Sequence, residues 1–398
     1  MPRLSSLVLK TLAGLGITLP AGGGINWGST LNVTLAHNVY NVNGYIYAAL
    51  GFVTDTTDAY SIIGGTRENS QNSDFASYGK IYIIDNNTGS IVREHIGTAK
   101  LSSSALEVAI SDNYYAIATA LFNQDMVLRV YDIATGSLQY SKSLGAFAFG
   151  SGWYQHAITM NDNYIMLSDG TTGPRIYDTA SGTQIAAPAA PSGVSSWGGT
   201  IVFDESRMAI RGQLAAANYQ GRVDVFEMSA GFPYLYSILA PIAEGGNFGR
   251  NTDKAIAVTG SHIIISNRSE SSNQGRVHIY DVTDGSLLHT LTPPAVPSGS
   301  STNYFGHSVA ANDNYLAVGT PNHDAFGVGG YAHLYDLTTG GLVAALSTPG
   351  NYPSGTYPMF GRCVSISEHR LVVGADNYMV NGSTPVGAGF VYNLYDIL

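Results

Sequence analysis

Tyr392-Asn393-Leu394-Tyr395-Asp396-Ile397-Leu398, the last seven residues, break off inside a unit that runs to completion elsewhere. The full form is Tyr280-Asp281-Val282-Thr283-Asp284-Gly285-Ser286-Leu287-Leu288-His289-Thr290-Leu291: a strand ending in an acid, a glycine turn, then one more strand. With Tyr395-Asp396 taken as the matching strand end, that last strand is missing at the C-terminus. Ser5-Ser6-Leu7-Val8-Leu9-Lys10-Thr11-Leu12 has the composition to supply it. A unit shared between the two ends implies a ring of repeats, closed by pairing one terminus with the other.

Two markers recur through the chain. The first is a turn followed by a short apolar strand: Asn43-Gly44-Tyr45-Ile46, Asp112-Asn113-Tyr114-Tyr115, Asp162-Asn163-Tyr164-Ile165, Glu205-Ser206-Arg207-Met208, Gly260-Ser261-His262-Ile263, Asp313-Asn314-Tyr315-Leu316 and Glu368-His369-Arg370-Leu371. Asn-Gly and Asp-Asn pairs suit tight hairpins, whose central residues need positive φ. The second is a strand ending in an acid, at Asp85, Asp132, Asp178, Glu227, Asp281, Asp336 and Asp396. All but the last are followed by glycine four residues on, and successive acids lie 47, 46, 49, 54, 55 and 60 residues apart.

Between markers the apolar residues alternate with period two, as in Arg276-Val277-His278-Ile279-Tyr280, so the units are strands. Four fit per unit. In the sixth they are His307–Ala311, Tyr315–Gly319, Tyr331–Asp336 and Leu342–Leu346. The expectation is an all-β, seven-bladed β-propeller of four-stranded antiparallel blades, with residues 5–12 completing the C-terminal blade. One domain spans residues 1–398, with blades at about 28–96, 103–144, 152–190, 197–240, 248–292, 305–347 and 360–398 plus 5–12. Closure of this kind removes open sheet edges. Arg3, the apolar run after it and Leu19-Pro20-Ala21-Gly22 also trace a signal peptide, but Lys10 interrupts its apolar core, which favours the strand.

Connection lengths separate the two faces. The turns between strands one and two, and between three and four, are short and share one face, the bottom. The others are long: Thr54–Tyr78, Pro241–Asp253, Pro293–Gly306, Pro321–Gly330, Pro349–Gly361 and Asn377–Gly389. Variable loops on a rigid scaffold are where binding concentrates, which makes the opposite face, the top, the binding face.

Composition narrows the function. Charged residues are 12% of the chain, about half the usual share, while Gly numbers 47 and Tyr 26. With a net charge of −10 and no basic cluster, nucleic-acid binding is not expected. One cysteine, Cys363, excludes an internal disulfide framework and a multi-thiolate metal site. No stretch approaches ~20 uninterrupted apolar residues, so no membrane insertion is expected.

The later repeats resemble FG-GAP repeats, the blades of integrin α-subunit heads. Phe305-Gly306-His307-Ser308-Val309-Ala310 leads to Tyr315-Leu316-Ala317-Val318-Gly319, and Phe360-Gly361 to Leu371-Val372-Val373-Gly374. Trp197-Gly198 keeps the same ten-residue distance from its second strand; Trp27-Gly28, Phe149-Gly150 and Phe248-Gly249 stand further off. The resemblance implies the propeller fold. Calcium-binding members of that family carry an Asp-rich loop between strands one and two, whereas here a two-residue turn stands in its place. The resemblance is to shorter, metal-free variants, so neither cofactor nor metal is expected.

The ring of acids reads as turn chemistry, each carboxylate accepting bonds from its own Asp-x-x-x-Gly turn. His156 and His307 stand eight residues before Tyr164 and Tyr315 and read as blade-packing residues. The binding candidates are on the top loops: Trp153, Tyr154, Trp197, Tyr219, Arg250, Tyr304, His323, Asp324, Tyr352, Tyr357, Arg362 and Tyr378. Aromatic faces beside hydrogen-bonding groups suit sugars and protein hot spots. There is no G-x-S-x-G, H-E-x-x-H or phosphate-loop signature, so the chain is not expected to be an enzyme. The expectation is a binding or structural propeller displayed on a virion, as a phage tail, fibre or capsid-surface component, with surface proteins or host glycans as partners. A secreted or cell-surface bacterial lectin is the alternative. A carbohydrate-active enzyme using Asp55, Asp58, Glu68, Asp74 and Asp324 in the top loops is a third reading.

Overall fold

The computed structural model describes residues 50–65, 80–96, 106–120, 125–146, 157–168, 173–214, 220–241, 248–249, 254–294, 304–321, 329–348, 358–377, 379–380, 384–385 and 387–398. It is an all-β propeller of seven blades, each a consecutive antiparallel meander. Blade 6 is typical: Ser308–Ala311, Tyr315–Thr320, Tyr331–Asp336 and Leu342–Ser347, within a residue of the sequence expectation at every boundary. Blade 7 contributes Phe360–Ile366, Arg370–Ala375 and Ala388–Asn393. The strand expected at residues 5–12 lies outside the described residues.

Burial explains the two kinds of strand. The second strands are apolar in succession, not alternately: Ile62 and Ile63, or Ile263, Ile264 and Ile265, are all fully buried. A neighbouring blade covers each face of such a strand, so both side-chain directions meet protein. The outer strands pack on one face only, and Leu342–Ser347 alternates between exposed and buried as a half-covered strand must. Between blades sit aromatic wedges, among them Phe248, Phe305 and Phe360, each with 0% exposure. Each contributes about 2–3 kcal/mol by leaving water.

The ring closes among the described residues. Innermost strands pack on one another in order around the ring, and Phe360–Ile366 of blade 7 packs on Leu50–Thr56 of blade 1. Leu50 forms a parallel bridge to Gly387, as Phe360 does to Gly330 one blade earlier.

Blade 1 corrects the sequence reading. Its inner strand is Leu50–Thr56 and its second strand Tyr60–Gly65, joined by the turn at Thr57–Ala59. The marker is therefore Asp58-Ala59-Tyr60-Ser61, not Asn43-Gly44-Tyr45-Ile46, and residues 54–65 are strand and turn rather than top loop. Leu50-Gly51 holds the position assigned to Trp27-Gly28. The apolar residue there is Leu in place of an aromatic, which hid the match.

Blade 7 needs a second correction. Arg370 pairs with Asn393, as Tyr315 pairs with Asp336, so Asn393 takes the place of the strand-end acid and Asp396 does not. Leu394–Asp396 is a 3-10 turn in which Asn393 Nδ2 donates to Asp396 Oδ2 at 3.1 Å. The turn reading of the other acids holds in the geometry. Asp132 Oδ1 accepts from Thr135 N at 2.7 Å and Thr135 Oγ1 at 2.8 Å, and Asp336 repeats the pattern with Thr339 at 2.8 and 2.9 Å.

Candidate functional site

Of the expected top-face residues, Trp197, Tyr304 and Arg362 are described. Trp153, Tyr154, Tyr219, Arg250, His323, Asp324, Tyr352, Tyr357 and Tyr378 lie outside the described residues, as does His156. Trp197 is 6% exposed and packs against Met166, Ile176 and Phe226, so it joins blades 3 and 4 rather than facing solvent. Its indole N–H is satisfied by the Pro188 carbonyl at 3.0 Å. Tyr304 is half-buried in the left-handed region (φ 50°), with the Arg268 guanidinium 5.6 Å from its ring centre.

Arg362 turns inward at the start of the blade 7 inner strand. Its guanidinium lies 5.0 Å from the Phe52 ring centre and 3.8 Å from the Asp376 carboxylate. Arg362 Nη1 donates to His307 Nε2 at 3.0 Å, and His307 Nδ1 lies 3.0 Å from the Arg362 carbonyl. A guanidinium only donates, so Nε2 accepts and the proton sits on Nδ1. His307 is thereby a neutral packing residue joining blades 6 and 7, as its place in the repeat suggests.

The same repeat position carries a group that no sequence motif marks. Lys254 stands eight residues before His262, as His307 does before Tyr315, Arg362 before Arg370 and Phe52 before Tyr60. From blade 5 the Lys254 ammonium spans the channel to blades 1 and 7, donating to Asp55 Oδ1 at 3.1 Å and Ser365 Oγ at 2.8 Å. Ser365 continues to Thr54 at 2.8 Å, and Thr54 Oγ1 donates to the buried Cys363 thiol at 3.3 Å. Asp55 Oδ2 accepts from Ile110 N of blade 2 at 3.1 Å. Burial pulls the Lys254 pKa down, but the Asp55 carboxylate, with Cys363 and Glu107 nearby, outweighs it and holds the ammonium above its ordinary value. The cluster ties blade 5 across the channel to the adjoining blades 7 and 1, and puts Asp55 in the channel, not in a top loop.

A third polar group lies on the bottom face, where blade 7 meets blade 1. The turn acid of one blade accepts bonds from the turn of the preceding blade: Asp162 from Asn113 N at 3.1 Å and Asn113 Nδ2 at 2.7 Å. At the closing seam Asp58 takes this role three times over. It accepts from Ser367 Oγ at 2.6 Å, His369 N at 2.9 Å and His369 Nδ1 at 2.6 Å. Burial would raise the Asp58 pKa, but these bonds and the imidazole beside it outweigh burial and hold the carboxyl below its ordinary value. Asp58 too is therefore a bottom-turn residue, not a top-loop one.

Asp58, Glu368 and His369 bring three potential ligand atoms within 4.8 Å of one another. The mixed oxygen and nitrogen set is not that of a calcium site, and His369 Nδ1 is already committed to Asp58. Beside them opens a cavity of about 380 Å³ lined by Asp58, Ala59, Asn87, His369, Arg370 and Tyr395. Only the alignment of blade 1 to the correct turn would have pointed to it in the sequence.

Fold and geometry together define a seven-bladed β-propeller with a polar, cross-braced channel. No protein-family profile matches the chain, and no curated protein matches it in sequence. Among solved structures it is similar to the WD40 repeats of RRP9, at 10% identity and TM-score 0.54 over 87% of this chain and 94% of that one. It is also similar to U3-55K, at 11% identity and TM-score 0.53 over 87% and 95%. BamB from Moraxella catarrhalis matches at 13% identity and TM-score 0.48 over 88% and 87%. The comparisons do not show FG-GAP repeats in this chain, and at such identities the likeness is one of fold alone.

Proposed function

We infer that this propeller is a non-enzymatic binding or structural module that meets its partner through the long connections on its top face. One observation carries the reading. Among the described residues, short turns close the bottom of a cross-braced ring, and the strand ends that lead into the long connections lie on the opposite side. Two of the five carboxylates considered for catalysis support it from the other direction; Glu68, Asp74 and Asp324 lie outside the described residues. Asp55 is spent on Lys254 and Asp58 on the closing seam, so neither faces a top-side groove. The Phe305-Gly306 and Phe360-Gly361 units favour an FG-GAP-type origin for the blades.

The charge-poor, Tyr- and Gly-rich surface favours display outside a cell, and we place the chain on a virion, as a tail, fibre or capsid-surface component contacting a glycan or another surface protein. Mass spectrometry of purified particles tests the placement: absence of this chain from them would remove the virion reading. A glycan array and a pull-down with the purified chain test the binding face. Loss of capture on mutating the top loops is expected, and capture indifferent to those loops would refute the assignment.

A further inference from the structure

The bottom-face cavity at the closing seam has a composition that selects for one kind of ligand. One wall is the Tyr395 phenol, 72% exposed yet steadied by the His369 ring at 5.2 Å between centres. Another is Arg370, whose Nη1 donates to Asn393 and whose Nη2 lies 3.4 Å from Asn87 Oδ1. Its Nε is buried with no partner among the described residues. Asp58, 42% exposed, keeps one of its about four acceptor sites beyond the three spent on the seam.

Charge excludes the simplest occupants. Asp58 repels an anion, Arg370 repels a bare cation, and these two charges of the lining offset each other. What remains attractive is a neutral ring with one apolar face and a rim of hydroxyls. Its C–H face can lie on Tyr395 while its hydroxyls donate to Asp58 and accept from Asn87 Nδ2.

We propose that this cavity is a sugar-binding subsite that takes a single neutral pyranose ring. It lies on the face opposite the long loops and does not rest on the top-face reading. The test is saturation-transfer NMR on the full chain, with methyl glycosides of neutral hexoses and N-acetylhexosamines as probes. Saturable signals strongest at ring C–H protons are expected. Tyr395→Ala should weaken binding about tenfold or more, the scale of one lost aromatic contact, whereas Tyr395→Phe should retain most of it. Because Tyr395 is largely exposed, Tyr395→Ala should melt with the parent, which separates lost binding from lost folding. The proposal is overturned if no glycoside gives a saturable signal, or if Tyr395→Ala binds like the parent. It is equally overturned if inorganic phosphate or zinc perturbs the His369 ring resonances while the glycosides do not.

Discussion

Replacing Gly51 with alanine probes ring closure at its tightest backbone contact. Gly51 has φ +85°, and a Cβ there would fall inside the Ala388 carbonyl oxygen and 2.9 Å from Ala375 N, both across the blade 7 seam. Gly231 supplies the control: its φ is +84°, but a Cβ would meet nothing within 4 Å. Both variants carry the left-handed penalty of ~1–2 kcal/mol. Both recover ~0.4–1 kcal/mol from a stiffer unfolded chain, so Gly231→Ala should lose about 1 kcal/mol. Gly51→Ala must also part the blades by on the order of 1 Å to restore normal contact distances. That strain is worth ~1–3 kcal/mol. Loosening the Leu50–Gly387 bridge and the Thr54–Ser365 bond adds about 1 kcal/mol each. The total for Gly51→Ala is roughly 4–6 kcal/mol. Equilibrium urea denaturation of both variants reads the difference directly. If Gly51→Ala costs no more than Gly231→Ala, the seam is not the close backbone contact described, and the closure reasoning fails.

Lys254→Met should destabilise by about 2 kcal/mol in the same assay. The figure is below the ~3–5 kcal/mol of a fully buried broken pair because Lys254 and Asp55 keep 22% and 25% exposure; Lys254→Met combined with Asp55→Asn should cost less than the sum of the singles. Burial depresses the His333 pKa from 6.5 to about 4. The unfolded chain therefore binds its proton first: stability is full above about pH 6.5 and falls by roughly 3 kcal/mol as pH drops to about 4. His333→Phe should remove that slope, and an unchanged pH profile would refute the assignment. Asp58, held below its ordinary 3.8, contributes stability above that pH which is lost on further acidification. Asp58→Asn should show a smaller difference between neutral and acid melting temperatures than the parent.

The repeat itself was legible because it is local. A turn, an alternating strand and an acid four residues before glycine specify a hairpin without reference to distant residues, and each of the two markers was placed correctly in six of its seven copies. The failures came where a copy kept the geometry and changed the letters. Leu50-Gly51 docks like Phe360-Gly361 without the aromatic, and Asn393 ends its strand where other blades use an acid. In both, the backbone register preserves what the side chain no longer advertises.

The candidate sites were harder to read for a different reason. Trp197 looked like a surface aromatic because its sequence neighbours are polar, but the neighbouring blade covers it. Lys254, Asp55 and Ser365 come from blades 5, 1 and 7, with nothing in the intervening residues to mark them as partners. Asp58 and His369 are separated by nearly the whole chain.

Period-two alternation and turn chemistry act over a few residues, so the sequence alone determined the strands, the blade architecture and the short turns that close one face. Only the tertiary structure decided which residues meet across the channel and at the closing seam, because a ring brings together side chains according to blade angle, not chain distance. That is why the Lys254 brace and the Tyr395 cavity appear only once the blades are in place.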